Sequence, residues 1–296
     1  MSQPHPDPSV TVIVTHYKSV DALRSSLESV RECTDPSRTE VVVADSEVQP
    51  GTEAMVAEIL PGARFLGFAD DVGYAVSVNA ALRVTTAPHV LVLNADVRIE
   101  PGTVEALSAA LDADPTLGIV GPLLSYDDGT RQLSAFRFYR PTTVLHRRTA
   151  TGRTRWGRAA LARFEAPGVE ADRAGSPVFA DWILGAAVMV RRAALEEVGE
   201  FNTRYWMYFE DVDICLRLWR AGWRVAVVPT ASARHTYGRA SRGKGPAALL
   251  KNQMARVHVR AAVTFFRTHG LHPTREPRGS GGHRVRATSG AQRTPR

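Results

Sequence analysis

Residues 90–99 read VLVLNADVRI, an apolar run that ends in polar residues. The unbroken run Val90–Leu93 is typical of a strand buried on both faces of a parallel sheet. Asn94, Ala95 and Asp96 follow at once, so a carboxylate stands at the end of the strand. In open α/β sheets, ligands bind at the carboxyl ends of the strands. An ordinary turn is the alternative, because Asn and Asp commonly terminate strands.

The segments around this run repeat a pattern of strand followed by helix. VTVIVTHY (10–17) and EVVVADSE (40–47) predict two further buried strands, and the second also ends in an acid, Asp45. Residues 72–84 predict a helix with Gly73 near its start. Strands that alternate with helices favour a mostly parallel sheet flanked by helices. The predicted fold class is therefore α/β, with a Rossmann-like nucleotide-binding half.

The composition predicts a protein with a substantial core. The chain has 296 residues, 44% of them hydrophobic, which suits one large domain or two closely packed halves. Its net charge is +7, but residues 272–296 hold six arginines and one glutamate, which leaves +2 for the rest. The sequence shows no zinc knuckle, recognition helix or aromatic-basic platform, so we expect no nucleic-acid partner.

The amino-terminal residues and the cysteines bear on location. MSQPHPDPSV is polar and proline-rich, and the chain has no apolar run of about 18 residues, so neither a signal peptide nor a membrane span is predicted. Cys33 and Cys215 lack the spacing of metal ligands and are expected to be free thiols in a reducing compartment. These observations predict a cytoplasmic protein.

The first strand excludes two common functions of this fold class. Neither G-x-G-x-x-G nor G-x-x-x-x-G-K-[ST] follows it, which disfavours a dinucleotide oxidoreductase and a P-loop NTPase. Asp45 and Asp96 stand instead at strand ends. A carboxylate there can accept from the imide N–H of a pyrimidine, or bind a divalent cation that bridges a diphosphate.

A second acidic pair precedes the segment DVDICLRLWRAG (211–222), which predicts a helix. Glu210 and Asp211 lie at its amino end, where the helix dipole favours an ionised carboxylate. The pair suits either helix capping or a proton acceptor that must be deprotonated. Asp213 and Arg217 are expected to form a surface ion pair.

The ordered series of segments resembles a family 2 glycosyltransferase, in the bacterial rhamnosyltransferase-like branch. The resemblance covers about residues 10–270, apart from a divergent part near 140–178, and implies the GT-A fold: a nucleotide-binding half fused to an acceptor-binding half. The matching segments are VIVTHY, VVVADSE, DVGYAVSVNAAL, VLVLNADV, WILGAAVMVRR, VGEFNTRYWMYFEDVDICLRL and GWRVAVVPTASARH.

The resemblance and the composition together divide the chain. We expect a disordered amino terminus at 1–9, a GT-A domain at 10–240, a C-terminal helical segment at 241–270 and a basic disordered tail at 271–296. Within the domain, the expected parts are a nucleotide-sugar half (10–130), a variable acceptor loop region (131–178) and an acceptor and catalytic half (179–240).

The resemblance implies a donor site on the first half. Asp45 matches the acid that recognises the pyrimidine, and Asp96 ends the D-x-D position, where it is expected to bind Mg²⁺ or Mn²⁺ on the donor diphosphate. Asn94 replaces the first acid, which leaves metal dependence open. His235 matches a late histidine that completes the metal shell in some relatives, with a structural role as the alternative. The implied nucleotide-sugar residues are Thr15, His16, Asp45, Asp71, Gly73, Asn79, Asn94, Ala95 and Asp96.

The same resemblance implies the catalytic and acceptor residues. Asp211 matches the catalytic base, and Glu210 beside it is expected to steer the acceptor or the base. Trp182, Gly185 and Ala186 are implied in the acceptor pocket, with tight packing as the alternative for the two small residues.

The implied reaction is an inverting sugar transfer by one displacement. L-rhamnose from dTDP-rhamnose is the first donor expected, and UDP-galactofuranose, UDP-glucose and UDP-GlcNAc stay open. A sugar nucleotidyltransferase and an inactive nucleotide-sugar-binding protein are the alternatives from other classes. The first would need a Gly-rich loop with Arg and Lys after the first strand, and THYKSVDA (15–22) lacks one.

The expected acceptor is a hydroxyl on a glycan, a lipid-linked saccharide or another glycoconjugate. Residues 246–270 predict an amphipathic helix, which either lies peripherally on the inner face of the cell membrane or docks on the domain. Residues 136–168 are basic and are expected to be a mobile lid or an acceptor loop. The acceptor, the pathway and the oligomeric state are not specified by the sequence.

Overall fold

A computed structural model describes residues 8–165, 175–236 and 253–276. Within these ranges, ten strands form one sheet and two more form a separate ribbon. The strands are β1 (Val10–Tyr17), β2 (Thr39–Ser46), β3 (Arg64–Phe68), β4 (His89–Asn94), β5 (Val97–Ile99), β6 (Leu117–Ser125), β7 (Arg131–Gln132), β8 (Ala135–Phe136), β9 (Val178–Phe179), β10 (Trp182–Ile183), β11 (Ala187–Arg191) and β12 (Arg224–His235).

Helices connect most of these strands. Those in the first half are α1 (Val20–Cys33), α2 (Thr52–Ile59), α3 (Tyr74–Leu82) and α4 (Thr103–Ala113). A pair follows, α5 (Pro141–Arg148) and α6 (Arg155–Phe164), joined by a 3₁₀ turn (Ala150–Arg153). The last three are α7 (Arg192–Val198), α8 (Glu210–Arg220) and α9, our label for Gln253–His269.

The main sheet follows the order β3-β2-β1-β4-β11-β6-β12-β5. Along this path, within the described ranges, β11 and β5 run opposite to the other six strands. The expected mostly parallel α/β sheet is confirmed. β11 lies between β4 and β6 and pairs with both, so a strand from residues 187–191 completes the middle of a sheet built largely from the earlier part of the chain.

The core lies on both faces of the sheet, as unbroken apolar strands require. On one face, Val12 and Leu91 pack with Leu23 and Leu27 of α1. On the other face, strand residues that alternate with these, such as Ile13 and Val92, pack with α3, α8 and α9 in a cluster that includes Phe265. Cys33 and Cys215 are free thiols, as expected.

The segment VLVLNADV (90–97) forms two strands rather than one. β4 ends at Asn94, the backbone N–H of Ala95 donates to the Thr15 carbonyl (2.9 Å), and the chain then enters β5. β5 pairs with β12 rather than with a neighbour of β4. The polar residues therefore form a real turn, whose geometry carries Asp96 away from β4 and towards β12.

α9 docks on α8, which is the packing alternative for the C-terminal helix. The Phe265 side chain is fully buried, and His269 Nε2 lies 2.7 Å from Asp213 Oδ1. Arg217 Nε donates to the other oxygen of Asp213 at 2.7 Å. The expected ion pair is therefore present, but its surface location is wrong, because the Asp213 side chain is fully buried. Burial would raise the pKa of Asp213, but the hydrogen bonds and charges of His269 and Arg217 outweigh it and lower that pKa.

Several sequence expectations concern the remaining segments. In place of a lid without regular structure, residues 141–164 form α5, the 3₁₀ turn and α6. The described part of the predicted disordered tail is ordered at Arg275, whose Nε donates to Asp181 Oδ1 (2.8 Å). The rest of that tail, after residue 276, and the part of the predicted helix before 253 lie outside the described residues. In the ranges that are described, no helix is both long and apolar enough to cross a membrane.

The docking of α9 predicts a large cost for truncating Phe265. Phe265→Ala should lower the free energy of unfolding by about 3–5 kcal/mol, because a fully buried aromatic side chain leaves a cavity. Val263→Ala, on the exposed side of the same helix, is the control and should change it by about 0.5 kcal/mol or less. Equal effects in urea denaturation would contradict the docking.

Candidate active site

The ends of β1, β2 and β4 bring four of the predicted donor residues together. Strand register places Thr15 beside Asn94, with Thr15 Oγ1 3.5 Å from Asn94 Oδ1, and places His16 beside Asp45. His16 Nδ1 and Asp45 Oδ1 are 2.6 Å apart, and both side chains are fully buried. His16 Nε2 and Asp45 Oδ2 have no hydrogen-bond partner among the described residues. Buried polar atoms without partners are rare and indicate a place for a ligand.

The loop before α3 brings the second half of the chain against this edge. The backbone N–H of Gly73 donates to Asp71 Oδ1 (3.0 Å), and that of Tyr74 donates to the Trp206 carbonyl (3.1 Å). Gly73 has φ +77°, and a Cβ there would lie 2.5 Å from the Trp206 carbonyl oxygen. A glycine is required here because the two backbones approach so closely.

Asp96 and His235 form a second polar pair. β5 and β12 place His235 opposite Val97, so that His235 Nε2 lies 3.4 Å from Asp96 Oδ1. His235 Nδ1 is 2.9 Å from Gln132 Oε1, so the Gln132 side chain holds the orientation of the ring. Asp96 is one-third exposed and His235 is buried. The structure thus brings the two predicted metal ligands together, and their role stays a prediction.

Asp211 lies at the amino end of α8 and is held by two backbone donors. The N–H of Gly185 donates to Asp211 Oδ2 (3.1 Å), and that of Val212 donates to Asp211 Oδ1 (2.8 Å). The Gly185 carbonyl accepts from the Tyr74 hydroxyl (3.1 Å). Ala186, the next residue, accepts from the backbone N–H of Asn94 (2.9 Å). Two consecutive residues thereby join Asp211 to the end of β4.

The two acids at the start of α8 are both harder to ionise than usual. Burial raises the pKa of Asp211 to about 6, against the opposing effect of its backbone donors. Burial, and next the charge of Asp211, raise the pKa of Glu210 well above its ordinary value. Glu210 is 9% exposed, and its Oε2 has no hydrogen-bond partner in the described ranges. Burial and the neighbouring charge of Asp211 therefore both favour the protonated form of Glu210.

The backbone before these acids is strained. Tyr208 and Phe209 have φ of +69° and +68°, in the left-handed region that bulky residues rarely adopt. Each such residue costs about 1 kcal/mol or more, and such strain is concentrated at functional sites. Phe209 is buried, with its ring 4.8 Å from that of Tyr139.

Two predicted site residues have other partners. The Asn79 side chain is buried, donates to the Phe201 carbonyl (2.8 Å) and accepts from its N–H (3.0 Å), so it holds the loop that leads to α8. Trp182 is 4% exposed, stacks on Phe136 at 4.5 Å and donates to the Arg137 carbonyl. These contacts explain both residues without a ligand.

Sequence reasoning missed three residues that shape the site. Tyr74 follows the predicted Gly73, and its hydroxyl is the link to Gly185. Trp206 contacts the Gly73 loop through its carbonyl, which no side-chain pattern could reveal. Gln132 orients His235 from a two-residue strand that has no periodicity to detect.

Comparison with known proteins places this geometry in a family. The profile of glycosyltransferase-like family 2 matches residues 6–258. This chain belongs to that family. It is also 30% identical over 251 residues to N-acetylglucosaminyl-diphospho-decaprenol L-rhamnosyltransferase of Mycobacterium tuberculosis, across 81% of this chain and 79% of the relative. This glycosyltransferase therefore transfers a sugar to an acceptor, and the family expected from the sequence is confirmed.

Solved structures confirm the GT-A fold. GalNAc-T7, crystallised with UDP, GalNAc and Mn²⁺, superposes with a TM-score of 0.60 at 13% identity, over 77% of this chain and 43% of that one. The mannosyltransferase PcManGT of Pyrobaculum calidifontis, with GDP-Man and Mn²⁺, gives 0.52 at 20% identity, over 91% of this chain and 77% of that one. At these identities the likeness concerns the fold alone.

The contact between Gly73 and Trp206 predicts a position-specific cost. Gly73→Ala should lower the free energy of unfolding by about 2 kcal/mol or more, because a side chain there adds a clash to the backbone strain. Gly51→Ala is the control: Gly51 also has positive φ (+85°), but a Cβ there meets nothing within 4 Å, so about 1 kcal/mol is expected. If Gly73→Ala lowers the free energy of unfolding less than Gly51→Ala does, the close contact between Gly73 and Trp206 is contradicted.

Proposed function

We propose that this glycosyltransferase is an inverting enzyme that transfers L-rhamnose from dTDP-rhamnose to a hydroxyl of a lipid-linked saccharide. The observation that carries the proposal is the Gly185–Ala186 connection, which holds Asp211 beside the strand end that bears Asn94. A proton acceptor and a diphosphate-binding edge at one cleft are the two elements that sugar transfer needs. The name of the Mycobacterium tuberculosis relative supports rhamnose and a diphospho-decaprenol acceptor.

The donor base is proposed to bind at the His16–Asp45 pair. Asp45 Oδ2 is the unpartnered acceptor there, and it suits the imide N–H that thymine and uracil share. That hydrogen bond does not separate the two bases, so UDP-galactofuranose, UDP-glucose and UDP-GlcNAc remain the competing donors. Thr15, Asp71, Gly73, Asn94 and Ala95 complete this edge of the proposed site.

A divalent cation, Mg²⁺ or Mn²⁺, fits beside Asp96 and His235. The pair offers a partly exposed carboxylate oxygen and an imidazole nitrogen 3.4 Å from it, and Mn²⁺ accepts both donor types. No group of three or more His, Cys, Asp or Glu side chains suited to a metal occurs in the described residues, and the donor diphosphate is proposed to supply further ligands. When bound, the cation supplies charge stabilisation to the departing diphosphate.

Asp211 is proposed as the base that activates the acceptor. With a pKa of about 6 it is ionised at neutral pH yet basic enough to accept a proton as the hydroxyl oxygen attacks the anomeric carbon. Its two backbone donors fix the carboxylate. The new bond forms on the face opposite the leaving diphosphate, so one displacement inverts the configuration.

Glu210 and the Gly185–Ala186 turn are proposed to shape the acceptor side. A protonated Glu210 adds no second negative charge beside the base, and it can donate a hydrogen bond towards the acceptor. Trp182 is proposed to support the acceptor side through packing, since its ring stacks on that of Phe136. A lipid-linked acceptor also implies work at the inner face of the cell membrane, as a peripheral protein.

Nucleotide binding tests the donor site first. We expect calorimetry to show that dTDP binds in the presence of Mn²⁺, that GDP does not, and that Asp96→Ala removes the metal-dependent part of the affinity. Asp70→Ala, which removes an exposed acid on the same edge, is the control and should bind as wild type does. The absence of pyrimidine nucleotide binding in all conditions would refute the proposal.

The base is tested by kinetics with a short-chain acceptor. Asp211→Asn should lower kcat/KM by about 10²–10⁴-fold. Glu210→Gln should retain it within about tenfold, because glutamine preserves the neutral state of that side chain. In the wild type, kcat/KM should fall as the pH drops through about 6, where Asp211 gains its proton. An enzyme that stays fully active at pH 5 would rule out Asp211 as the base.

A further inference from the structure

We infer that the helical pair α5–α6, here called the basic hairpin (residues 140–165), is the surface through which this protein binds an anionic lipid bilayer. The inference deepens the proposed function, since it assigns the part of the chain that meets the membrane in which a lipid-linked acceptor resides. It also differs from the sequence expectation, which gave that contact to the C-terminal helix.

The charge of the chain is concentrated on this hairpin. Residues 140–165 contain seven arginines and a single acid, Glu165, for a net charge of +6. Outside the hairpin and the tail at 272–296, the remaining chain carries a net charge of −4. Arg147 packs over the Tyr139 and Phe164 rings, but Arg153, Arg155 and Arg158 are exposed. An anionic bilayer attracts each exposed arginine near its surface by about 1 kcal/mol.

The hairpin also exposes large apolar side chains. Trp156 is 77% exposed, the largest value among large apolar residues in the described ranges, and Leu145 on α5 is 51% exposed. The guanidinium of Arg155 lies 5.6 Å from the Trp156 ring, so a cation and an amphipathic ring stand together. Trp with Arg is the combination favoured where lipid headgroups meet hydrocarbon.

This surface is built from packed helical turns rather than from an irregular loop. A Cβ at Gly152 would lie 2.2 Å from the His146 carbonyl oxygen, and one at Gly157 would lie 2.1 Å from that of Thr151. The 3₁₀ turn is therefore in direct backbone contact with both α5 and α6. Thr154 caps α6 by accepting from the Gly157 N–H (3.0 Å). The exposed residues are therefore held in place before any membrane is met.

The buried side of the basic hairpin is connected to the start of α8 by a chain of aromatic contacts. Phe164 stacks on Phe136 (5.2 Å) and contacts Tyr139 (4.6 Å), and Tyr139 packs against Phe209 (4.8 Å). Phe209 directly precedes the acidic pair of α8. A hairpin seated on the bilayer would thus hold the proposed base close to the headgroup region, where the acceptor saccharide emerges.

α9 is less suited to the membrane role. Its apolar side is already covered, because Phe265 and Ala262 are buried in the core. A soluble polyanion is the competing partner for the arginines of the hairpin, but it gives no role to the exposed Trp156 and Leu145. The two partners therefore predict different behaviour of Trp156.

The test is co-sedimentation of the full chain with vesicles of phosphatidylcholine containing 30% phosphatidylglycerol, compared with pure phosphatidylcholine. We expect binding to the anionic vesicles alone, weakened by about tenfold or more in R153E/R155E/R158E. The matched control R24E/R31E/R38E reverses three exposed arginines on and beside α1 and should bind as wild type does. Thermal unfolding checks that both triple variants fold.

Fluorescence then distinguishes a bilayer from a soluble polyanion. Lipids brominated near the headgroup should quench part of the tryptophan emission, and Trp156→Phe should remove that part while most vesicle binding is kept. An equal loss of vesicle binding in both triple variants, or quenching that persists in Trp156→Phe, would overturn the assignment. Either result would indicate binding through the C-terminal tail or through non-specific electrostatic attraction. Because the vesicles contain neither donor nor acceptor, a wild-type protein that transfers sugar but does not bind them refutes the hairpin assignment alone, and one that binds them but transfers no sugar refutes the proposed function alone.

Discussion

The backbone of Gly185 connects elements from the earlier and later parts of this glycosyltransferase. Its N–H donates to Asp211 on α8, and its carbonyl accepts from Tyr74 on α3, while the next carbonyl, that of Ala186, accepts from Asn94 at the end of β4. Three separate elements are thus fixed by two consecutive residues. A Cβ at Gly185 would lie 3.1 Å from that of Asp211, so the residue must also be small.

The acids of α8 show how one helix end can hold three carboxyl groups in different states. Glu210, Asp211 and Asp213 lie within four residues and are all largely enclosed by protein. Glu210 lacks a cationic partner among the described residues and has its pKa raised by burial and by the charge of Asp211, and Asp211, held by N–H dipoles, has a pKa of about 6. Asp213, between His269 and Arg217, is firmly ionised. Environment rather than residue type sets the three states.

The sequence predicted those parts of the fold and site that depend on short-range patterns. The limits of β1, the helix that follows Glu210 and the glycine before α3 were all correct, because each follows from local periodicity or a backbone requirement. The separate β5, the burial of Asp213 and the Asn79–Phe201 contact were not predictable, since each depends on a partner far along the chain. The pairing of Asp96 with His235 was expected only through the family resemblance.

The position of α9 has a consequence for the synthesis of the protein. α8 is made well before α9, so during translation Asp213 has no His269 to cover it and the pocket for Phe265 stays open. A chain that ends before α9 leaves the apolar pocket of Phe265 and the carboxylate of Asp213 open to water. The closing of this part of the core therefore depends on the last described helix.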